Sequence, residues 1–175
     1  MEIICERCVL RPLAPEDAPA LAEQANDRDI WLNLRDRFPH PYALADAEAY
    51  IASCTGRSAQ TSFGIVVDGV VRGNISLHVG SDIERINAEL GYWLGRSFWG
   101  RGVITDAVEA MTRHAFDALK LHRVFAVPFA RNVASVRVLE KNGFVHEGLM
   151  RRSAIKDGMI LDQHLFAAYS DRPRA

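Results

Sequence analysis

Two glycines separated by a single residue, Gly100 and Gly102, are the first candidates for chemistry in this sequence, because they lie between a predicted strand and a predicted helix. Glycine lets the backbone turn sharply and approach a ligand closely. A helix beginning near Val103 would present N–H groups that its own carbonyls cannot bond, backed by the positive end of its dipole. This combination is typical of a phosphate site. For the two glycines alone, an ordinary turn before an amphipathic helix is an equal alternative.

Two nucleotide-binding motifs do not fit this loop. A P-loop needs a lysine directly after its last glycine, and Val103 follows Gly102. The dinucleotide motif G-x-G-x-x-G needs a third glycine where this chain has Thr105. The loop therefore favours an anionic ligand held by backbone groups outside these two classes.

The cysteines and the remaining polar motifs are less specific. Cys5 and Cys8 form a lone C-x-x-C with no second pair, so we expect no metal site and free thiols, Cys54 included. Asn132 precedes Ser135 by three residues at a predicted helix start, the spacing of an N-cap. None of the cysteines has an obvious histidine partner, which argues against a covalent cysteine route.

The elements that must position these residues alternate along the chain. Helices are predicted at residues 15–26, 44–54, 104–119 and 133–142, with a further short turn at 30–34. Strands are predicted at residues 9–13, 62–67, 70–79, 86–94, 123–128, 145–155 and 159–169, with hairpin turns at Asp68-Gly69 and Asp157-Gly158. No linker divides this pattern, so we expect an α/β fold with a mixed sheet in a single domain spanning residues 1–175.

Composition and charge limit the classes of partner. Apolar residues make up 49% of the 175 residues and charged residues 25%, which is typical of a globular protein. The net charge of −1 gives no reason to expect nucleic acid or an anionic membrane as a partner. No segment reaches the ~20 apolar residues of a membrane helix, and residues 1–11 do not resemble a secretory signal. A cytoplasmic location is therefore expected, and a homodimer is compatible with the sequence.

Taken together, motifs spread over nearly the whole chain resemble the GCN5-related N-acetyltransferases (GNAT family), in the branch that acetylates the N-termini of ribosomal proteins. The matching segments, in order, are residues 10–13, 16–17, 89–94 (ELGYWL), 99–103 (WGRGV), 132–135 (NVAS), 139–144 (LEKNGF), 147–148 and 157–158. The resemblance implies a mostly antiparallel twisted sheet of about seven strands with about four flanking helices. It also implies a splayed strand pair that holds CoA.

The resemblance also assigns the donor, acetyl-CoA, as co-substrate. The family loop falls on residues 97–102, with Ser97 in place of the usual Gln or Arg. Its backbone is expected to hold the CoA diphosphate, Arg101 adding charge, while the strand ending at Leu94 pairs with the pantetheine arm. The expected donor-binding residues are Tyr92, Trp93, Leu94, Trp99, Gly100, Arg101, Gly102, Val103, Ile104, Thr105, Asn132 and Ser135.

Catalytic roles carry over only in part. The tyrosine that protonates the CoA thiolate in many relatives corresponds to Leu139, and the resemblance implies Ser135 as the acid instead; a cap or a thiol-orienting hydroxyl is the alternative. Glu89 matches a carboxylate that acts as base through water, or is an ordinary strand residue facing a partner such as Arg72. His78 is an alternative base. A second carboxylate of the ribosomal enzymes is replaced by Ala154.

The resulting expectation is an acetyl-CoA-dependent N-acetyltransferase in which a primary amine attacks the thioester directly. The acceptor is expected to be a protein N-terminal α-amine. Residues 31–40 and the last hairpin, with Arg151, Arg152 and Lys156, are the segments expected to select it. Two alternatives stay open: an acetyltransferase for a polyamine, amino acid or antibiotic, and a CoA-binding sensor with little turnover.

Overall fold

The computed structural model describes residues 1–54 and 61–171. Within them lie eight strands and five α-helices, with short 3₁₀ turns at Pro15–Asp17, Asp82–Glu84 and Arg96–Phe98. In chain order the elements are β1 (Ile3–Ile4), β2 (Val9–Arg11), α1 (Ala18–Ala25), α2 (Arg28–Trp31), α3 (Leu44–Cys54), β3 (Ser62–Val67), β4 (Val70–Val79), β5 (Asn87–Leu94), α4 (Val103–Asp117), β6 (Arg123–Ala126), α5 (Val133–Lys141), β7 (Val145–Lys156) and β8 (Met159–Tyr169).

The predicted α/β class is confirmed, with a mostly antiparallel sheet of eight strands. The eighth strand is β1, only two residues long and paired with β2, so its own sequence carries no periodic signal. The fifth helix is α2, a single turn capped by the Asp27 side chain. Two predicted strands are shorter than expected: β2 ends at Arg11 because Pro12 has no N–H to donate, and β6 ends at Ala126. No helix among the described residues is long and apolar enough to cross a membrane.

The residues group into two compact units that each contain part of β4 and β5. The first unit comprises Met1–Ser76 and Tyr92–Ala107, and the second comprises Leu77–Gly91 and Val108–Ala175. Strand order in the sheet is β1-β2-β3-β4-β5-β6-β8-β7.

The first unit has a core of small and β-branched side chains on α1, α3, β3 and β4. Leu21 and Ala25 of α1 are completely buried, as is Ala47 of α3, so alanines let these helices pack closely with the strands. Between β3 and β4, Asp68 and Gly69 both have positive φ angles, of 51° and 77°, as the predicted two-residue hairpin turn requires.

The second unit is organised around the change from antiparallel to parallel pairing. β5 and β6 run parallel from Asn87–Arg123 to Glu89–Phe125, and this last parallel pair lies five residues before the end of β5 at Leu94. β6 then pairs antiparallel with β8, and β8 with the long strand β7, whose register shifts twice. Helix α5 contributes the completely buried Leu139. The parallel pairing is therefore short compared with β5 itself.

Candidate active site

The loop that joins β5 to α4 has the backbone conformation of an anion cradle. Gly100 and Gly102 have φ angles of +72° and +83°, a region that side chains with a Cβ rarely adopt. A Cβ placed on Gly100 would meet no heavy atom within 4 Å, so this face of the loop is open. The first backbone hydrogen bond of α4 is donated by the Asp106 N–H to the Gly102 carbonyl (3.1 Å). Gly102 therefore caps the helix, and the first turn of α4 directs its N–H groups towards the loop.

Contacts within the first unit hold the start of this loop on the end of β5. The indole N–H of Trp99 donates to the Leu94 carbonyl at 2.7 Å, and the Gly95 N–H donates to the Arg72 carbonyl at 2.7 Å. A Cβ on Gly95 would lie 2.0 Å from Oε1 of Gln24, so no larger residue fits there without displacing that side chain. The loop is thus anchored by β4, α1 and its own tryptophan.

Cationic side chains surround the ring of Phe98 in the same loop. The guanidinium carbons of Arg72 and Arg101 lie 5.0 Å and 5.4 Å from the ring centroid, within the range of cation–π contacts. Arg101 itself is exposed. This arrangement places a positive side chain between the two glycines, where it can add to the charge of the helix end.

A contact that the sequence did not indicate comes from the N-terminal segment. The Arg7 guanidinium donates to both carboxylate oxygens of Asp106, at 2.9 Å and 3.0 Å, and the Arg7 backbone N–H donates to Oδ2 at 3.1 Å. A Cβ on Gly102 would lie 3.2 Å from Cδ and Nε of Arg7, so the arginine stem lies against the loop. The two residues are 99 positions apart in the chain, and no local pattern links them.

The segment expected to select the acceptor packs against the end of β5. Phe38 packs edge-on against Trp93, with ring centroids 5.6 Å apart, and Trp31 stacks on His40 at 5.6 Å. Asp29 and Arg96 form an ion pair just before the glycine loop. Residues 29–40 therefore contact both the end of β5 and the turn that follows it.

In the second unit, the two candidate bases lie opposite each other. The Gly80 N–H donates to the Asn87 carbonyl (2.9 Å), and the Gly95 N–H donates to Arg72, which gives the same antiparallel register at both ends of the β4–β5 pair. This register sets His78 opposite Glu89, on the same face of the sheet. Arg72 is opposite Gly95, so the interpretation of Arg72 as a cross-strand partner of Glu89 is wrong.

Asn132 and Ser135 are brought together at the start of α5. Asn132 is the N-cap, and its side-chain oxygen accepts a hydrogen bond from the Ser135 N–H at 3.1 Å. Ser135 is half-buried, and Leu139, one turn further along, is completely buried. The cap fixes the first turn of α5 and with it the position of the Ser135 hydroxyl.

The outer strands of the second unit carry a charged cluster on the last hairpin. Glu147 pairs with Arg123 and accepts a hydrogen bond from the Tyr169 hydroxyl. The hydrogen bond from Arg123 is the main cause that lowers the pKa of Glu147, and the bond to Glu147 raises the pKa of Tyr169. Nearby, Nε2 of His146 lies 2.9 Å from Nδ1 of His164. These groups satisfy one another on the strand surface.

The predicted site residues thus form two groups. Tyr92, Trp93, Leu94 and the loop from Trp99 to Thr105 are contiguous in the first unit, whereas Glu89, Asn132 and Ser135 lie in the second. Among the described residues, no group of three or more His, Cys, Asp or Glu could hold a metal ion. Arg7 and the His78–Glu89 register are the features that inspection of the sequence missed.

Comparison with known proteins agrees with this arrangement. The profile of the family described as "Acetyltransferase (GNAT) domain" matches residues 7–145. The chain is 33% identical over 164 residues to YdaF of Bacillus subtilis, whose name proposes ribosomal N-acetylation; the match covers 90% of this chain and 88% of YdaF. It is also similar to Mycobacterium smegmatis RimJ in complex with CoA-disulfide, with 26% identity, a TM-score of 0.83 and coverage of 94% and 82% of the two chains. RimL in complex with coenzyme A shares the fold at 21% identity, with a TM-score of 0.86 and coverage of 98% and 99%.

The family model matches most of the chain, and the matched residues include the glycine loop, the parallel strands β5 and β6, and helix α5. The chain belongs to the GNAT family and is an acetyl-CoA-dependent N-acetyltransferase.

Proposed function

We propose that this enzyme transfers the acetyl group of acetyl-CoA directly to the N-terminal α-amine of a protein, without an acyl-enzyme intermediate. The observation that carries the donor half of the proposal is the pair of positive-φ glycines at the capped start of α4. An open loop at a helix N-terminus favours an anionic group, such as the diphosphate of CoA, over a neutral one. No cysteine enters the proposed reaction, because Cys5, Cys8 and Cys54 lie outside the loop and α5.

The donor is held mainly by backbone groups. N–H groups between Trp99 and Thr105 bind the diphosphate, and Arg101 adds a positive charge. β5 continues five residues beyond its last parallel pair with β6, which leaves strand edge for the pantetheine arm to pair with. The side-chain oxygen of Asn132 is occupied by its capping bond, so its amide NH₂ is the group that contacts the arm.

The donor supplies an activated acyl group, a thioester, and the protein supplies positioning and proton transfer. A backbone N–H near the end of β5 donates to the thioester carbonyl and stabilises the negative charge that develops on its oxygen. The amine nitrogen forms the new C–N bond as the C–S bond breaks. Ser135 gives its hydroxyl proton to the departing thiolate and takes up a proton from solvent in exchange; the thiolate is a weak enough base to need little assistance.

The proton lost by the amine goes to Glu89, directly or through water. Glu89 is half-buried and lies opposite His78, which is exposed. Because His78 is exposed, its imidazole can pass the proton from Glu89 on to solvent. Glu89 would then both accept the proton from the amine and pass it on to His78.

The α-amine of a protein is proposed as acceptor because the resemblance to the ribosomal branch extends over nearly the whole chain. Phe38 packs against Trp93, so the segment of residues 31–40 lies beside the strand that we propose pairs with the donor. Ala154 argues in the other direction, since it lacks the carboxylate of the ribosomal enzymes. An acceptor panel must therefore include small amines.

The test is release of CoA thiol from acetyl-CoA with peptides of different N-terminal residues, spermidine, free amino acids and an aminoglycoside. Ser135→Ala is compared with Ser53→Ala, an exposed serine on α3, and Glu89→Gln with Glu109→Gln, an exposed carboxylate on α4. We expect peptides to be preferred, and kcat to fall about tenfold or more only in Ser135→Ala and Glu89→Gln. Unchanged rates in both would refute the residue assignments. Turnover of small amines alone would show that the acceptor is a small molecule and not a protein N-terminus. Tight CoA binding without turnover would indicate a sensor. An acetyl-cysteine formed with acetyl-CoA alone would refute direct transfer.

A further inference from the structure

The N-terminal residues 5–8 form a turn that is fastened to the start of α4. The turn is closed by the hydrogen bond from the Cys5 N–H to the Cys8 carbonyl (2.9 Å). It is tied to the helix by the Arg7 N–H, by the Arg7 guanidinium and by the Cys8 thiol, whose sulfur lies 4.0 Å from the Val103 carbonyl oxygen. Contacts to the Asp106 carboxylate and to the Val103 carbonyl therefore hold Arg7 and Cys8 against the start of α4.

The partner of Arg7 creates an electrostatic problem for the proposed site. Asp106 lies in the first turn of α4, and its side chain is only 14% exposed, so water screens its charge poorly. A carboxylate here stabilises the helix through the dipole. The same negative charge opposes an anionic ligand bound to the same helix end. A free carboxylate at this position would weaken the affinity of the loop for a diphosphate.

Arg7 is arranged to cancel that charge. Nη1 of its guanidinium donates to both oxygens of Asp106, at 2.9 Å and 3.0 Å, in charge-assisted contacts. Its remaining ion pair is with Glu6, which is highly exposed and therefore well screened. The Arg7 stem also lies against Gly102, so the cation is centred beside the loop and not on its far side.

We propose that Arg7 is a positioning residue of the donor site, which keeps the Gly100–Gly102 loop receptive to the anionic part of the coenzyme by masking the Asp106 carboxylate. This inference rests on the proposed binding of CoA at the loop. It differs from a direct contact between Arg7 and phosphate, because masking requires Arg7 only when Asp106 is present. The two roles are separable by removing both members of the pair.

The experiment is calorimetric titration of the full-length chain with CoA, without acceptor, for the wild type, Arg7→Ala, Arg7→Lys, Asp106→Asn and Arg7→Ala/Asp106→Asn. Arg113→Ala is the matched control, because Arg113 pairs with Glu109 on the same helix about two turns further along. Thermal unfolding of each variant checks that it is folded.

We expect Kd for CoA to rise about tenfold in Arg7→Ala, to recover in the double variant, and to stay within about twofold of the wild type in Asp106→Asn, Arg7→Lys and Arg113→Ala. The loss in Arg7→Ala should shrink in high salt, which a purely structural defect would not do. Equal weakening in Arg7→Ala and the double variant would overturn masking in favour of direct phosphate contact, and unchanged Kd in Arg7→Ala would overturn the inference altogether. If the wild type itself binds no CoA, the proposed function fails instead.

Discussion

Gly100→Ala separates the stability role of the loop from its binding role. Gly100 has a φ angle of +72° and open space where a Cβ would lie. Alanine there must adopt a left-handed conformation, which costs about 1 kcal/mol in the free energy of unfolding. For a chain of this size that corresponds to a fall in Tm of about 3 °C. No steric clash within the protein adds to this cost.

The chain offers a control with the same geometry elsewhere. Gly69, in the β3–β4 turn, has a φ angle of +77° and no heavy atom within 4 Å of a Cβ. Gly69→Ala should therefore lose the same stability as Gly100→Ala. A methyl group on Gly100, in contrast, projects into the space where the diphosphate approaches the backbone. Losing one charge-assisted hydrogen bond costs about 2 kcal/mol, or about thirtyfold in Kd for CoA.

The assay pairs thermal unfolding with calorimetric titration of CoA for the wild type and both variants. The expected result is equal Tm shifts and weakened CoA binding in Gly100→Ala alone. If Gly100→Ala binds CoA as well as Gly69→Ala does, the open face of the loop is not where the diphosphate binds, and the cradle assignment fails. If both variants lose affinity, the effect is a general consequence of destabilisation.

Three further predictions concern the elements that support the site. Asp17 receives hydrogen bonds from Arg11 (2.7 Å) and from the Ala14 N–H (2.8 Å), which outweigh burial and lower its pKa; Asp17→Asn should lose about 2 kcal/mol in urea unfolding at pH 7, and this difference should shrink as pH falls below about 4, because the unfolded chain then takes up a proton that the folded carboxylate, with its lowered pKa, takes up only at still lower pH. A deficit that persists unchanged at low pH would contradict the ionic origin. Leu139→Ala should cost about 3 kcal/mol, because Leu139 is completely buried in α5; a thermal shift within error of the wild type would refute its core role. Asn132→Ala should lose about 1 kcal/mol of cap energy and bind CoA more weakly, whereas Asn132→Ser should keep the cap and lose only the CoA contact; CoA binding as tight as that of the wild type in both variants would leave Asn132 a cap alone.

Local signals predicted most of the fold. α3, β3, β4 and β8 have the bounds expected from the sequence, because hydrophobic periodicity and an Asp-Gly turn act over a few residues. β1 was missed because two residues carry no period, and only pairing with Leu10 and Val9 makes them a strand. The glycine loop was found because positive φ angles need glycine, a requirement visible in the sequence itself.

Features that depend on which strands and segments meet were not predictable. The Arg7–Asp106 pair joins residues 99 positions apart, and neither has a distinctive neighbourhood in the sequence. The choice of Arg72 as partner of Glu89 was wrong because strand register is set by the hydrogen bonds at both ends of the β4–β5 pair, and a sequence with two adjacent strands fits several registers. The structure is therefore needed to know which side chains face each other across neighbouring strands.

We propose that the donor is recognised by backbone groups and the acceptor by side chains. The proposed donor contacts use backbone N–H groups and glycine conformations, so Ser97 can replace the usual Gln or Arg of the family loop without loss of the site. Residues 31–40, the segment proposed to select the acceptor, contact the end of β5 through Phe38–Trp93, and Asp29 just before them pairs with Arg96. Because the ion pair to Arg96 lies directly before the glycine loop, a change in the acceptor segment also acts on the backbone that holds the donor. We therefore expect substitutions at residues 29–40 to alter the KM for acetyl-CoA together with the choice of amine.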